Sequence, residues 1–134
     1  MSYHTIIIVG NLGNDPEMRY TGSGTAVTNF NVATNRTYSS SDGNQVKETT
    51  WFRVSVWGKQ AENCNQYLSK GSQVLVEGRM IPDPETGRPH VFTRQDGSAG
   101  ASFEVTANTV RFLSSRGEGG GYQVKEGSDE EIPF

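Results

Sequence analysis

The chain has 134 residues, 33% of them hydrophobic, with 16 glycines and one cysteine; that is enough for one small core and excludes an internal disulfide framework or a cysteine-rich zinc site. The longest early apolar run, residues 6–9, is too short to span a membrane, and no basic, apolar, small-residue succession opens the chain, so neither a membrane anchor nor a signal peptide is expected and a reducing compartment fits best. Residues 1–113 carry 10 basic and 10 acidic side chains and residues 114–134 carry 2 and 5, so the net charge of −3 sits in the last stretch and does not argue against a nucleic-acid partner for the body.

Residues 3–12, rich in Ile and Val, read as a first strand that closes at Gly10 and Gly13. Asn14-Asp15-Pro16 and residues 21–24 are turns. Residues 26–35 alternate Thr28, Phe30, Val32 and Thr34 with Asn29, Asn31 and Asn35, a half-buried strand. Residues 38–45 are polar, with Asp42-Gly43 as a hairpin signal. Residues 47–58 form a third strand, with Phe52, Val54 and Val56 on one face and Trp51, Arg53, Ser55 and Trp57 on the other. Residues 59–70 switch to a helical period, Ala61, Cys64 and Leu68 on one stripe, with Gly71 as a C-cap. Residues 73–81 and 101–113 are the fourth and fifth strands, separated by a long irregular Pro- and Gly-rich loop over residues 82–100.

Residues 114–127, with Gly119-Gly120-Gly121, are expected to be a flexible linker, and residues 128–134 a short acidic tip. Three strands, one helix and two strands is the order of an all-β OB-fold, a five-stranded Greek-key barrel with its helix between strands three and four.

Trp51 and Trp57 are core residues or a surface platform, and parity favours the platform, because Phe52, Val54 and Val56 already supply the core and Arg53 shares the tryptophan face. Two aromatics and an arginine on a solvated strand suit base stacking and phosphate contact; a protein-binding patch is the rival. Tyr38 and Arg36 lie just beyond this strand surface. Phe92, between Arg88 and Arg94, is either a loop plug or a further stacking ring. Lys59, Lys70 and Arg79 are ordinary surface cations by default and candidate phosphate contacts if the platform holds.

His4 and His90 lack ligand spacing to another His or Cys, and no dinucleotide fingerprint or P-loop appears. No metal, cofactor or catalytic set is therefore expected. In the tip, Asp129, Glu130 and Glu131 precede Ile132, Pro133 and Phe134. Acid runs are usually solubilising, but an apolar end suits a basic-rimmed pocket on a partner, with Phe134 as the anchor.

The chain resembles the bacterial single-stranded DNA-binding proteins over nearly its whole length. The resemblance rests on Ile8-Val9-Gly10-Asn11-Leu12-Gly13-Asn14-Asp15-Pro16-Glu17-Met18-Arg19-Tyr20, on Thr50-Trp51-Phe52-Arg53-Val54 with Trp57-Gly58-Lys59, on Tyr67-Leu68-Ser69-Lys70-Gly71-Ser72-Gln73-Val74-Leu75-Val76-Glu77-Gly78, and on the acidic tip. It implies an OB-fold DNA-binding domain over 1–113, a linker over 114–127 and a partner-binding tip over 128–134. It also implies a homotetramer without enzymatic activity in the bacterial cytoplasm and nucleoid. Its partners would be single-stranded DNA and, through the tip, replication, recombination and repair proteins. Trp51, Trp57 and Tyr38 then match stacking positions, and Arg53, Lys59 and Lys70 match basic positions along the DNA path.

Overall fold

The computed structural model of the protein describes residues 1–114; the linker beyond residue 114 and the 128–134 tip lie outside the described residues. In chain order the elements are β1 (Ile6–Leu12), β2 (Glu17–Tyr20), β3 (Ala26–Ser39), β4 (Gln45–Trp57), α1 (Lys59–Tyr67), β5 (Gln73–Ile81), β6 (His90–Thr93) and β7 (Ala99–Phe112). Five strands close on themselves in the order β1-β5-β7-β4-β3, with β1 returning to β3. β2 is added to β3 and β6 to β7. This is the OB-fold barrel that the element order predicts. Neighbouring strands pair antiparallel except β4 and β7, which run parallel over Phe52↔Phe103 to Ser55↔Thr106.

The alternation read from the sequence sorts the barrel's two surfaces. Ile8, Phe30, Val32, Val54, Val56, Val74, Val76 and Val105 point inward and are almost wholly buried. Each such apolar side chain stabilises the fold by ~1.5–3 kcal/mol relative to an exposed one. α1 closes one end of the barrel by adding Ala61 and Cys64, and Leu68 directly after it is equally buried. The buried Thr28 hydroxyl donates to the Ala61 carbonyl at 2.7 Å, so the helix is tied to β3 without an orphaned polar group. Burial pushes the Cys64 thiol up to about 12.

The β5–β7 ladder skips one residue. Glu77 faces Thr109 and Gly78 faces Ala107, so Asn108 is bulged out. Two backbone groups beside the bulge meet one side-chain amide: Gln60 Nε2 donates to the Asn108 carbonyl at 2.9 Å, and the Val110 N–H donates to Gln60 Oε1 at 3.0 Å.

Several boundaries differ from the sequence reading. The first strand starts at Ile6 rather than residue 3, because the ladder to β5 begins at Ile6↔Gly78. The helix ends at Tyr67, with Leu68 as its cap residue, and Gly71 instead serves the next turn at φ +94°. Residues 17–20, which the sequence leaves unassigned between its two turns, form β2, a four-residue edge strand.

The largest correction concerns residues 82–100, which are not an irregular loop. They contain β6 and its hairpin to β7. Its turn repeats the one joining β3 to β4. In each, the fourth loop residue is glycine, Gly43 or Gly97, at φ +90°, and its N–H returns to the residue opening the turn, Ser40 or Arg94. Asp42 and Asp96 brace these turns. Hydrogen bonds from the Ser40 hydroxyl and the Asn44 N–H, and from the Ser98 hydroxyl and N–H, hold the two carboxyls below their ordinary range.

Candidate nucleic-acid interface

β4 carries the centre of the site. Its inward residues are committed to the core, so Trp51, Arg53, Ser55 and Trp57 face outward. Trp51 is 52% exposed and Trp57 47%. Half-exposed indoles on a strand with a full core behind them are not core residues. Arg53 is exposed and has no ion pair or side-chain hydrogen bond among the described residues.

The sheet then supplies the neighbours. Across the ladders, Arg53 lies between Asn31 on β3 and Glu104 on β7, and His90 on β6 lies opposite Ser102 on β7. The result is an open groove of about 570 Å³ lined by Asn31, Trp51, Arg53, His90, Phe92 and Glu104, among others. Ligand-sized sites fall in this range. Phe92, read as plug or stacking ring, is 38% exposed and lines the groove with the Arg94 guanidinium 5.4 Å from its centroid.

Two glycines set the ring positions. A Cβ on Gly13 would stand 2.4 Å from the Trp51 ring, and one on Gly100 would stand 2.6 Å from the Phe92 ring. Each indole or phenyl therefore lies directly on bare backbone, which fixes its direction. The segment bearing Gly13 is itself fixed: Gly13 N–H donates to the Asn31 carbonyl at 2.9 Å, and Asn14 Oδ1 accepts from Asn31 N–H at 2.9 Å.

Around Trp57 the outer face is polar and cross-linked. Arg19 Nη1 donates to Asn29 Oδ1 at 2.7 Å, and Asn29 Nδ2 donates to Ser55 Oγ at 2.7 Å. Ser55 pairs with Thr106, and Thr106 with Arg79. Arg79 is therefore on the same outer face, and Arg19 on β2 joins it as a cation that the sequence reading left out. Its signal was the alternation over residues 17–20 ahead of a glycine turn.

The other named residues are placed less centrally. Tyr38 and Arg36 sit on the β3–β4 hairpin where it projects beyond the barrel, on the pleat face that continues Phe30 and Val32, not that of Trp51. Arg36 stacks on Tyr38 at 4.6 Å and pairs with Glu48 at 2.9 Å. Lys59 is exposed and pairs with Glu62 at 3.6 Å. Lys70 is exposed near the Trp51 end; its N–H donates to Asp15 Oδ1 at 2.8 Å, two residues beyond Gly13. Residues Asp129, Glu130, Glu131, Ile132, Pro133 and Phe134 lie outside the described residues.

The site offers stacking surfaces, one unpaired guanidinium and hydrogen-bonding edges in an open groove. Among the described residues no helix is long and apolar enough to cross a membrane. Comparison with known proteins agrees with the fold. A family model described as the single-strand binding protein family matches residues 3–113. The single-stranded DNA-binding protein of Xanthomonas axonopodis pv. citri is 45% identical over 114 residues, 85% of this chain and 59% of that protein, so the chain spans less than two thirds of that relative. The single-stranded DNA-binding protein of Wolinella succinogenes is 40% identical over 125 residues, 92% of this chain and 73% of that one. Among solved structures, a Plasmodium falciparum SSB complex with ssDNA superposes with a TM-score of 0.67 at 21% identity, covering 85% of this chain and 97% of that one. A deletion mutant of the single-stranded DNA binding protein from Thermus aquaticus superposes with a TM-score of 0.62 at 26% identity, covering 84% of this chain and 51% of that one.

Proposed function

Because this chain belongs to the single-strand binding protein family, we propose that it binds single-stranded DNA without enzymatic activity and stacks bases on the outer face of β4. The observation that carries this reading is the half-exposure of Trp51 and Trp57 on either side of the unpaired Arg53, with the core side of the same strand already filled. Every base has a π-face, so such a platform is tolerant of sequence, and Arg53 supplies a phosphate contact or a cation–π contact. Phe92 and Arg94 extend it across the groove. Arg79 and Arg19 share its outer face, Lys70 and Lys59 its ends, and the Arg36–Tyr38 stack forms a second, separate ring on the projecting hairpin. The chain's role is to hold exposed strands during replication, recombination and repair, as a homotetramer.

Oligo(dT) quenches the tryptophan emission of the wild type on this reading. Trp51→Ala and Trp57→Ala each weaken binding by about 1–3 kcal/mol while the thermal melt stays in place. Wild-type affinity in both variants, folded, removes the platform.

The segment 128–134 is read as a docking peptide for other genome-maintenance proteins. Its acids steer towards a basic rim, and Phe134 fills the pocket. Phe134→Ala leaves the charge intact and abolishes partner capture in pull-downs from a bacterial lysate, with oligo(dT) affinity unchanged. Capture equal to wild type by Phe134→Ala leaves only a solubilising tail.

A further inference from the structure

Glu104 is the one carboxylate lining the groove, and a carboxylate is out of place on a surface for a polyanion. Among the described residues it has no ion-pair partner. Arg53 is its direct partner on the parallel β4–β7 ladder, yet no ion pair closes between them among the described residues. Its one hydrogen bond is accepted by Oε2 from the Ser102 hydroxyl at 3.0 Å, which orients the group and leaves Oε1 free of any described partner. An acceptor-only group held half-buried in a groove that Trp51 and Phe92 also line repels phosphate and suits a base edge that carries donors.

Single strands expose the Watson–Crick edges of their bases. Guanine presents two donors side by side, N1–H and N2–H, spaced for the two oxygens of a carboxylate. Cytosine and adenine present one amino group each. Thymine presents N3–H between two carbonyl oxygens that a carboxylate repels. We propose that Glu104 makes this groove a guanine-preferring subsite, accepting from N1–H and N2–H while Trp51 and Phe92 wall the ring and Arg53 meets the phosphate. The inference rests on the DNA-binding reading above and adds a base preference to it.

The test uses the full chain and strands of equal length: all thymine, thymine with interspersed guanines, and the same strand with inosine at each guanine. Inosine keeps the ring and N1–H and lacks the N2 amino group, so stacking is retained and one charge-assisted hydrogen bond is lost. Wild type is expected to bind the guanine strand about tenfold more tightly than the inosine strand. Glu104→Ala erases that difference and binds the thymine strand more tightly than wild type, because an anion has left the groove. Glu104→Gln, which keeps the shape, also loses the guanine advantage, since its one oxygen accepts from N1–H, which inosine shares, and its N–H₂ then confronts the N2 amino group. Equal binding of guanine and inosine strands by wild type overturns the proposal without any variant, as does a guanine preference that persists in folded Glu104→Ala. If tryptophan quenching by the thymine strand is normal in either case, only the subsite fails; if no strand binds, the DNA-binding reading fails with it.

Discussion

At the residue scale, the contact between Trp51 and Gly13 separates having an aromatic from holding it in position. The indole lies where a Cβ on Gly13 would stand, 2.4 Å from the ring. Gly13→Ala therefore forces the ring off its seat without altering the core. Its expected cost to oligo(dT) binding is about 1 kcal/mol, part of what loss of the ring itself costs. In a Trp51→Ala background the same change costs nothing, because the ring it displaces is gone. Additive losses in this double-mutant cycle, measured by fluorescence or calorimetry, would mean Gly13 acts elsewhere. Strand parity alone placed Trp51, Arg53 and Trp57 outward, since a filled inner face leaves them nowhere else to go. Glu104 was not legible in the same way. It joins Arg53 through a parallel pairing between strands some fifty residues apart, and no local pattern reports that.

At the element scale, the five barrel strands and the helix were legible from periodicity, because each buries one clean face. β6 was missed although Asp96-Gly97 is the same hairpin signal as Asp42-Gly43. The prolines around it, Pro82, Pro84 and Pro89, outweighed that signal, yet they stand outside the four residues that pair. β6 itself is exposed at every position, so it has no buried face to show a period. The clamp of Gln60 on the Asn108 bulge is likewise tertiary, a helix side chain serving a distant strand. Gln60→Ala removes both hydrogen bonds and is expected to destabilise the domain by about 1–2 kcal/mol in chemical denaturation. Gln60→Glu keeps the acceptor for Val110 N–H but sets a carboxylate against the Asn108 carbonyl, so it fails to restore stability. A melt unchanged by either substitution would show that water serves the bulge equally well.

At the scale of the whole molecule, the barrel is closed by a short seam. β1 meets β3 only at Asn11↔Ala33 and Leu12↔Val32, so most of β1 pairs with β5 alone. Its other edge and its outward residues Ile7, 61% exposed, and Val9 form an apolar strip continued by Leu75 of β5. An open edge beside apolar side chains is a surface a second copy can cover, which is where the proposed homotetramer draws support. Ile7→Glu is expected to shift the species seen by light scattering towards smaller assemblies at micromolar concentration, with the barrel still folded. A wild-type monomer under those conditions removes the assembly.

The buried Cys64 has a consequence of a practical kind. It is the chain's one cysteine, and its thiol, pushed up to about 12, is almost wholly protonated at neutral pH and held on the buried face of α1. A maleimide dye offered to a cysteine introduced at an exposed turn, such as Ser41, therefore reacts there and leaves the native thiol untouched. The protein can be tagged for single-molecule work with no need to engineer its own sulfur away. Left unlabelled, Cys64 becomes a clock: the rate at which a thiol reagent finally reaches it counts the openings of the helix–barrel junction.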